Sequence, residues 1–205
     1  SLSTFAQREI SESHYKRADT LAKQGKLQEA IEPYRLFLDM ELSFINPDYE
    51  KVSEAYNNIG VAHYLNRDYM SASEALEEAL KIDRLYLPDN VPQRLANLGS
   101  IYRRQGYYER AIDYYEEALE LGQEADTTTK NIAIYLNNIG LIYDLWGKYD
   151  KAIEYYERSL RLKEESGEKE GIATSLSNIG MVYHAWEKYD QAITNFKEAL
   201  AIDKE

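Results

Sequence analysis

The sequence predicts an all-α fold built by repetition, with five antiparallel helix pairs stacked side by side as an α-solenoid. Three observations predict it. An asparagine-aliphatic-glycine triplet occurs as Asn58-Ile59-Gly60, Asn97-Leu98-Gly99, Asn138-Ile139-Gly140 and Asn178-Ile179-Gly180. Its glycines recur at intervals of 39, 41 and 40 residues, each followed by the same downstream pattern, so one supersecondary unit is copied along the chain. Within each copy the apolar residues fall at helical spacing and are interrupted once by a turn signal. An array of this kind buries its core between neighbours and offers a long surface, so binding is expected before catalysis.

Taken in order, the first copy (about residues 11–46) is the most divergent, with Ala18 and Leu21 before Gly25, and Leu27, Ala30, Tyr34 and Leu38 after it. Pro33 sits inside its second helix and should bend it, because proline removes a backbone donor and crowds the preceding turn. The second copy (47–87) carries His63 and Leu76 where the later copies have aromatic residues. The third (88–125) runs Leu95, Leu98, Gly99 and Tyr102, breaks at Gly106, and resumes with Tyr108, Ala111, Tyr115 and Leu119. The fourth (126–166) repeats this with Leu136, Ile139, Gly140, Tyr143, Gly147, Tyr149, Ala152, Tyr156 and Leu160. In the fifth (167–205) the series is Leu176, Ile179, Gly180, Tyr183, Tyr189, Ala192, Phe196 and Leu200.

The four glycines, with Ala72, Ala111, Ala152 and Ala192, remove side-chain bulk where the two helices of a pair cross, and the tyrosines fill the wedge beyond. Trp146 and Trp186 are expected to pack as well. Between pairs, Asn46-Pro47-Asp48, Pro88-Asp89-Asn90, Ala125-Asp126-Thr127 and Ser166-Gly167-Glu168 supply turn chemistry. Asn90, followed three residues later by Gln93, matches a capping box opening the third pair.

Composition narrows the function. The 205 residues are 44% hydrophobic and 29% charged, the balance of a folded, soluble chain that could hold one or two ordinary domains. A formal charge of −12 repels a phosphate backbone, and no lysine- and arginine-rich segment offers a local exception, so nucleic acid and anionic membrane are poor partners. No apolar run approaches the roughly 18 residues that membrane insertion needs. The first residue is serine and no leader pattern follows it, which suggests a processed or excised fragment. Zero cysteines exclude disulfides and thiolate metal sites without choosing a compartment, and a cytoplasmic location is the working expectation.

The small residue at Gly60, Gly99, Gly140 and Gly180, with the alanine at Ala72, Ala111, Ala152 and Ala192, resembles the tetratricopeptide repeat family over residues 11 to 205. The period exceeds the common unit of about 34 residues by about six, or roughly 9 Å of extra helix. It is similar to the long-repeat subgroup of kinesin light chains, Pins-type polarity adaptors and bacterial signalling proteins. Gly167-Glu168-Lys169-Glu170-Gly171-Ile172-Ala173 is similar to the bacterial examples. The resemblance implies a right-handed superhelix that holds a peptide in a concave groove.

With Gly140 as reference and about 100° per residue, Leu136, Ile139 and Tyr143 face the partner helix. Asn137, Asn138, Leu141, Asp144 and Leu145 lie opposite, on the face that the resemblance assigns to the groove. Asn57, Asn58, Val61 and Leu65 match them in the second copy, Asn97, Arg103 and Arg104 in the third, and Asn178, Met181 and His184 in the fifth. Asn58, Asn97, Asn138 and Asn178 thus form a ladder of amides, each able to donate to and accept from a peptide backbone at once. In long-repeat relatives asparagines at this place contact bound peptide, which implies the same role for these four. The first copy has Lys16 there, where the ladder stops or changes character. Val61, Leu141, Leu145 and Met181 add apolar contact, Asn57 and Asn137 further amides, and Arg103 with Arg104 the positive charge that would take a carboxylate. Two alternatives stay open. An asparagine at a fixed place can also cap a turn or bridge adjacent first helices, and Arg103 can pair with Asp144 of the next copy.

Catalytic and metal residues are not expected, and no cofactor is. Gly140 to Lys148 fails as a phosphate loop, since Tyr149 stands where serine or threonine is needed. His14, His63 and His184 lack companions at ligand spacing. Acidic pairs such as Glu116-Glu117 and Glu164-Glu165 read as a solvated outer face. The leading expectation is a non-enzymatic scaffold for a protein or peptide segment. The competing ones are a structural module self-associating through its terminal repeats, since the last helix ends without a polar cap, and the sensory part of a larger signalling protein such as a histidine kinase.

Overall fold

A computed structural model describes residues 4–124 and 129–202, with side chains outside 123–129. The expected turn at Ala125-Asp126-Thr127 falls outside the described residues. Ten α-helices and one short 3₁₀ turn account for the described secondary structure, and among the described residues no strand occurs. The chain divides into two compact units, Ser1–Gln105 and Gly106–Glu205.

Unit 1 holds α1 (Thr4–Lys23), α2 (Leu27–Glu41), α3 (Tyr49–Leu65), α4 (Tyr69–Tyr86), the 3₁₀ turn Pro88–Asn90 and α5 (Val91–Gln105). Within it α1 pairs with α2 and α3 with α4, and each second helix also packs on the next first helix. Unit 2 holds α6 (Tyr108–Glu124), α7 (Thr129–Leu145), α8 (Tyr149–Ser166), α9 (Lys169–Ala185) and α10 (Tyr189–Ile202), with α7 paired to α8 and α9 to α10.

The pairs close where the sequence has glycine. A Cβ placed on Gly140 would lie 2.9 Å from Cδ1 of Tyr156, one on Gly180 2.7 Å from Cε1 of Phe196, and one on Gly60 2.9 Å from Cγ of Leu76. The partner residue is always sixteen positions on, so the large side chain of the second helix fills the space that the missing methyl vacates. Ala72, Ala111, Ala152 and Ala192 are buried, as are Tyr34, Tyr102, Tyr115, Tyr143 and Tyr156. Tyr189 departs from the packing expectation and is 55% exposed.

Turn geometry repeats where turn sequence does not. Gly147 closes the α7–α8 turn at φ 74°, while the equivalent turns after α3 and α9 put Arg67 at φ 62° and Glu187 at φ 60°. Asp48 caps α3 by accepting from the Lys51 backbone N–H at 3.2 Å. Pro33 is buried inside α2, which continues through it to Glu41. The capping box at Asn90 does not form. The Asn90 backbone N–H bonds the Leu87 carbonyl inside the 3₁₀ turn, and Gln93 sends its amide to Asn97. Trp146 and Trp186 are half-buried beside Tyr108 and Tyr149, and Lys148 and Lys188 place their ammonium groups 3.2 and 3.3 Å from the indole centres.

Gly140→Ala forces its methyl against the buried Tyr156 ring and is expected to destabilise unit 2 by about 1–3 kcal/mol. The urea midpoint followed by circular dichroism checks it.

Candidate functional site

The candidate surface is the outward face of the first helices, α3 and α5 in unit 1 and α7 and α9 in unit 2. Helical geometry places it there, because the glycine and aliphatic residue of each triplet turn inward and the asparagine turns away. Asn58, Asn97, Asn138 and Asn178 are all half-buried.

Their hydrogen bonds differ from copy to copy. Asn178 Nδ2 donates to Asn137 Oδ1 at 3.1 Å, bridging α9 to α7. Asn58 Nδ2 donates to the Tyr34 hydroxyl at 2.8 Å, tying α3 to α2. Burial raises the Tyr34 phenol above its ordinary range, and the bond from Asn58 partly offsets this. Asn97 accepts from Gln93 Nε2 at 3.1 Å. Among the described residues no side chain bonds the amide of Asn138, and none takes the amide N–H of Asn97. Bridging between first helices therefore accounts for Asn178, and two rungs keep donors to spare.

In unit 1 a cavity of about 320 Å³ opens beside Asn97, lined by Gly60, Val61, Leu65 and Leu76 with Asn97 and Ile101 facing them. Tyr64 also lines it, and its hydroxyl accepts from Arg104 Nε at 3.2 Å. Val61, Asn97 and, through Tyr64, Arg104 are thus brought to one place. The Arg103 Nε is enclosed without a hydrogen-bond partner among the described residues. In unit 2 the same face carries Leu141, half-buried, with Leu145 and Met181 exposed by 50% and 53%. Burial raises the Asp144 carboxyl above its ordinary value.

A polar cluster that the sequence reading missed lies beneath the unit 1 face. Asp83 of α4 is fully buried and accepts from Ser53 Oγ and from Arg94 Nε, the latter at 2.8 Å. Arg94 also donates to Ser53 Oγ at 3.2 Å and to Asn57 Oδ1. The carbonyl of Asn57 is therefore occupied from within the protein. The available signal was a charged residue at a face position that is Tyr135 in the fourth copy and Ser175 in the fifth.

Unit 2 solves the equivalent position differently. Lys163 of α8 stands eleven residues after Ala152, as Asp83 does after Ala72. It is buried and donates to Ser175 Oγ at 2.8 Å, with no carboxylate in bonding distance among the described residues. Burial pushes its ammonium below the usual lysine range, and Glu168 partly opposes this.

Among the described residues no group of three or more His, Cys, Asp or Glu is placed to hold a metal ion, and no helix is long and apolar enough to cross a membrane. A tetratricopeptide repeat model matches residues 9–84, 93–165 and 148–205, and a second model of that description matches 57–128. The chain belongs to the tetratricopeptide repeat family. The repeats are similar to Photosystem I assembly protein Ycf3 of Prochlorococcus marinus, 32% identical over 85 residues, 42% of this chain and 48% of that protein. They are also similar to outer dynein arm-docking complex subunit 4 of Bos taurus, 29% identical over 101 residues, 49% of this chain and 15% of that one. The matched repeats thus span about half the length of Ycf3 and a smaller share of the dynein-arm subunit.

Among solved structures, BtubC (BKLC) from P. vanneervenii superposes with a TM-score of 0.80 at 24% identity, covering 97% of this chain and 89% of that one. The apo form of RapI gives 0.81 at 22% identity, covering 95% and 70%. A MamA protein gives 0.73 at 23% identity, covering 96% and 93%. These likenesses show the fold of a tetratricopeptide repeat solenoid.

Replacing Lys163 by Met removes a buried charge that no carboxylate bonds among the described residues and that Glu168 only partly offsets, and Ser175 can return its hydroxyl to its own helix. Wherever the lysine is charged in both the folded and the unfolded chain, its burial penalty is fully felt. The penalty fades as pH rises through the lowered folded value towards the unfolded one. Lys163→Met should therefore raise the urea midpoint at pH 7, and the gain over the parent should narrow towards pH 10.5.

Proposed function

We propose that the chain is a single array of five tetratricopeptide repeats (11–46, 47–87, 88–125, 126–166, 167–205) that acts as a non-enzymatic scaffold and holds a peptide segment of a protein partner on its first-helix face. The observation that carries this reading is the amides of Asn97 and Asn138, which no described residue engages as donors on a face otherwise rich in apolar side chains. Main-chain carbonyls and N–H groups of an extended segment fit such amides whatever the segment's side chains are. Val61 and the cavity beside Asn97 would take an apolar side chain, Arg103 and Arg104 a carboxylate, and Leu141, Leu145 and Met181 further apolar contact. Asn57, Asn58, Asn137 and Asn178 have bonds within the protein, so in this reading they shape the face and contribute through whatever donor or acceptor remains.

Each net hydrogen bond is worth about 0.5–1.5 kcal/mol, so Asn97→Ala and Asn138→Ala should each weaken binding of a selected peptide by roughly 2- to 13-fold. Titration calorimetry measures this while circular dichroism confirms an unchanged helical signal. Unchanged affinity in both variants would remove the ladder from the account.

A second reading, self-association, is favoured by one feature of unit 2. Ile193, Phe196 and Leu200 of α10 are 50%, 38% and 53% exposed, whereas Ile153 and Tyr156 at the equivalent places of α8 are 8% and 2% exposed. Should a second copy cover this face, light scattering will show a mass that rises with concentration and falls back to the monomer with Ile193→Lys. A monomer at all concentrations would discard this reading.

A further inference from the structure

Two rungs of the asparagine series could join the same pair of positions, and only one is made. In unit 2, Asn178 two residues before Gly180 donates to Asn137 three residues before Gly140, at 3.1 Å. The matching residues of unit 1 are Asn97 two before Gly99 and Asn57 three before Gly60, again asparagines on consecutive first helices. There Asn57 Oδ1 accepts from Arg94 Nη1, and Asn97 keeps its amide N–H.

The difference originates beneath the face. Asp83 is fully buried and receives Arg94 Nε at 2.8 Å, so the guanidinium is fixed in its plane with a second arm extended to Asn57. A planar fork held by one carboxylate can serve two acceptors at set angles, which an ammonium cannot do. Unit 2 has Lys163 and Ser175 at these two positions, bonded to each other at 2.8 Å and offering nothing to Asn137. Asn137 is then open to Asn178.

We propose that the Asp83–Arg94 pair is a positioning device for the groove. By holding the Asn57 amide on Arg94 it keeps that amide from turning to Asn97, so that the α3–α5 bridge does not close and the Asn97 amide stays available to a backbone carbonyl of an extended peptide at the edge of the apolar cavity. Arg94 and Asp83 touch no ligand in this scheme. They select which rung of the ladder reads the partner, and the inference rests on the peptide-binding reading for its second half only.

The test transplants the unit 2 solution. In Asp83→Lys/Arg94→Ser the Asn57 carbonyl is released and Asn97 should bridge to it. Two measurements follow that change: solvent exchange of the Asn97 side-chain amide by NMR, and affinity for a synthetic peptide selected on the parent chain from a displayed random library. The amide should become protected, and affinity should fall by roughly 2- to 13-fold, as for loss of one hydrogen bond. Adding Asn57→Ala removes the competing acceptor, so the triple variant should lose the protection and recover the affinity, which a merely structural role for the pair would not produce. Arg94→Lys is the milder variant should the transplant not fold, since it keeps a cation for Asp83 but lacks the second arm, and it should give the same protection. An Asn97 amide that exchanges equally fast in parent and variants overturns the positioning role, whatever the peptide does. Protection that appears without loss of peptide affinity, with Asn97→Ala also silent in the parent, overturns the groove reading of Asn97 instead.

Discussion

Everything else in the chain depends on the helix crossing at the repeated glycine. At Gly60, Gly140 and Gly180 the space for a Cβ is already filled by Leu76, Tyr156 or Phe196, at 2.7–2.9 Å from where that atom would be. Contact this close fixes the rotation of the first helix about its own axis, since only one narrow strip of it lacks a side chain. Once that rotation is set, the neighbouring residues have no choice of direction. The aliphatic member of the triplet enters the core, as the burial of Ile59, Leu98, Ile139 and Ile179 records, and the asparagine is left at the margin between core and solvent. The possibility of a binding face is thus a geometric by-product of a packing requirement.

The junction between one pair and the next is governed by a different rule. The position eleven residues beyond the alanine of the second helix is buried, yet it holds Asp83 in one copy and Lys163 in another. A buried charge is tolerated when it is paired and hydrogen-bonded, and Asp83 meets that condition through Arg94 and Ser53. Lys163 meets it only with a hydroxyl, and its ammonium is correspondingly disfavoured. Two junctions of one architecture are thus filled by unlike chemistry. Identical backbones in a repeat protein do not guarantee identical surfaces, because the polar residues beneath a surface decide which of its amides are already engaged.

The helices and their pairing were legible in the sequence because each rests on a pattern within about forty residues: apolar spacing, the glycine, the alanine and the turn. What was not legible depends on side chains that meet only after stacking. Nothing local to Asn57 announces Arg94, which is 37 residues away, and nothing local to Asn178 announces Asn137, at 41. The capping box at Asn90 failed because Pro88 begins a 3₁₀ turn whose carbonyl at Leu87 reaches the Asn90 N–H first. The turns at Arg67 and Glu187 show the reverse case. There the chain adopts a left-handed conformation without glycine, since the same two flanking helices impose it, at a cost of order 1–2 kcal/mol.

The two tryptophans of the chain, each shielded by a lysine, both lie in Gly106–Glu205. Indole emission is therefore an optical label confined to the second unit, placed there by the sequence itself, whereas ellipticity sums over helices of both. Comparing the two signals during denaturation distinguishes a molecule that melts all at once from one whose halves come apart in succession, without any added dye. For a repeat protein that distinction sets how far a disturbance at one end of the chain is felt at the other.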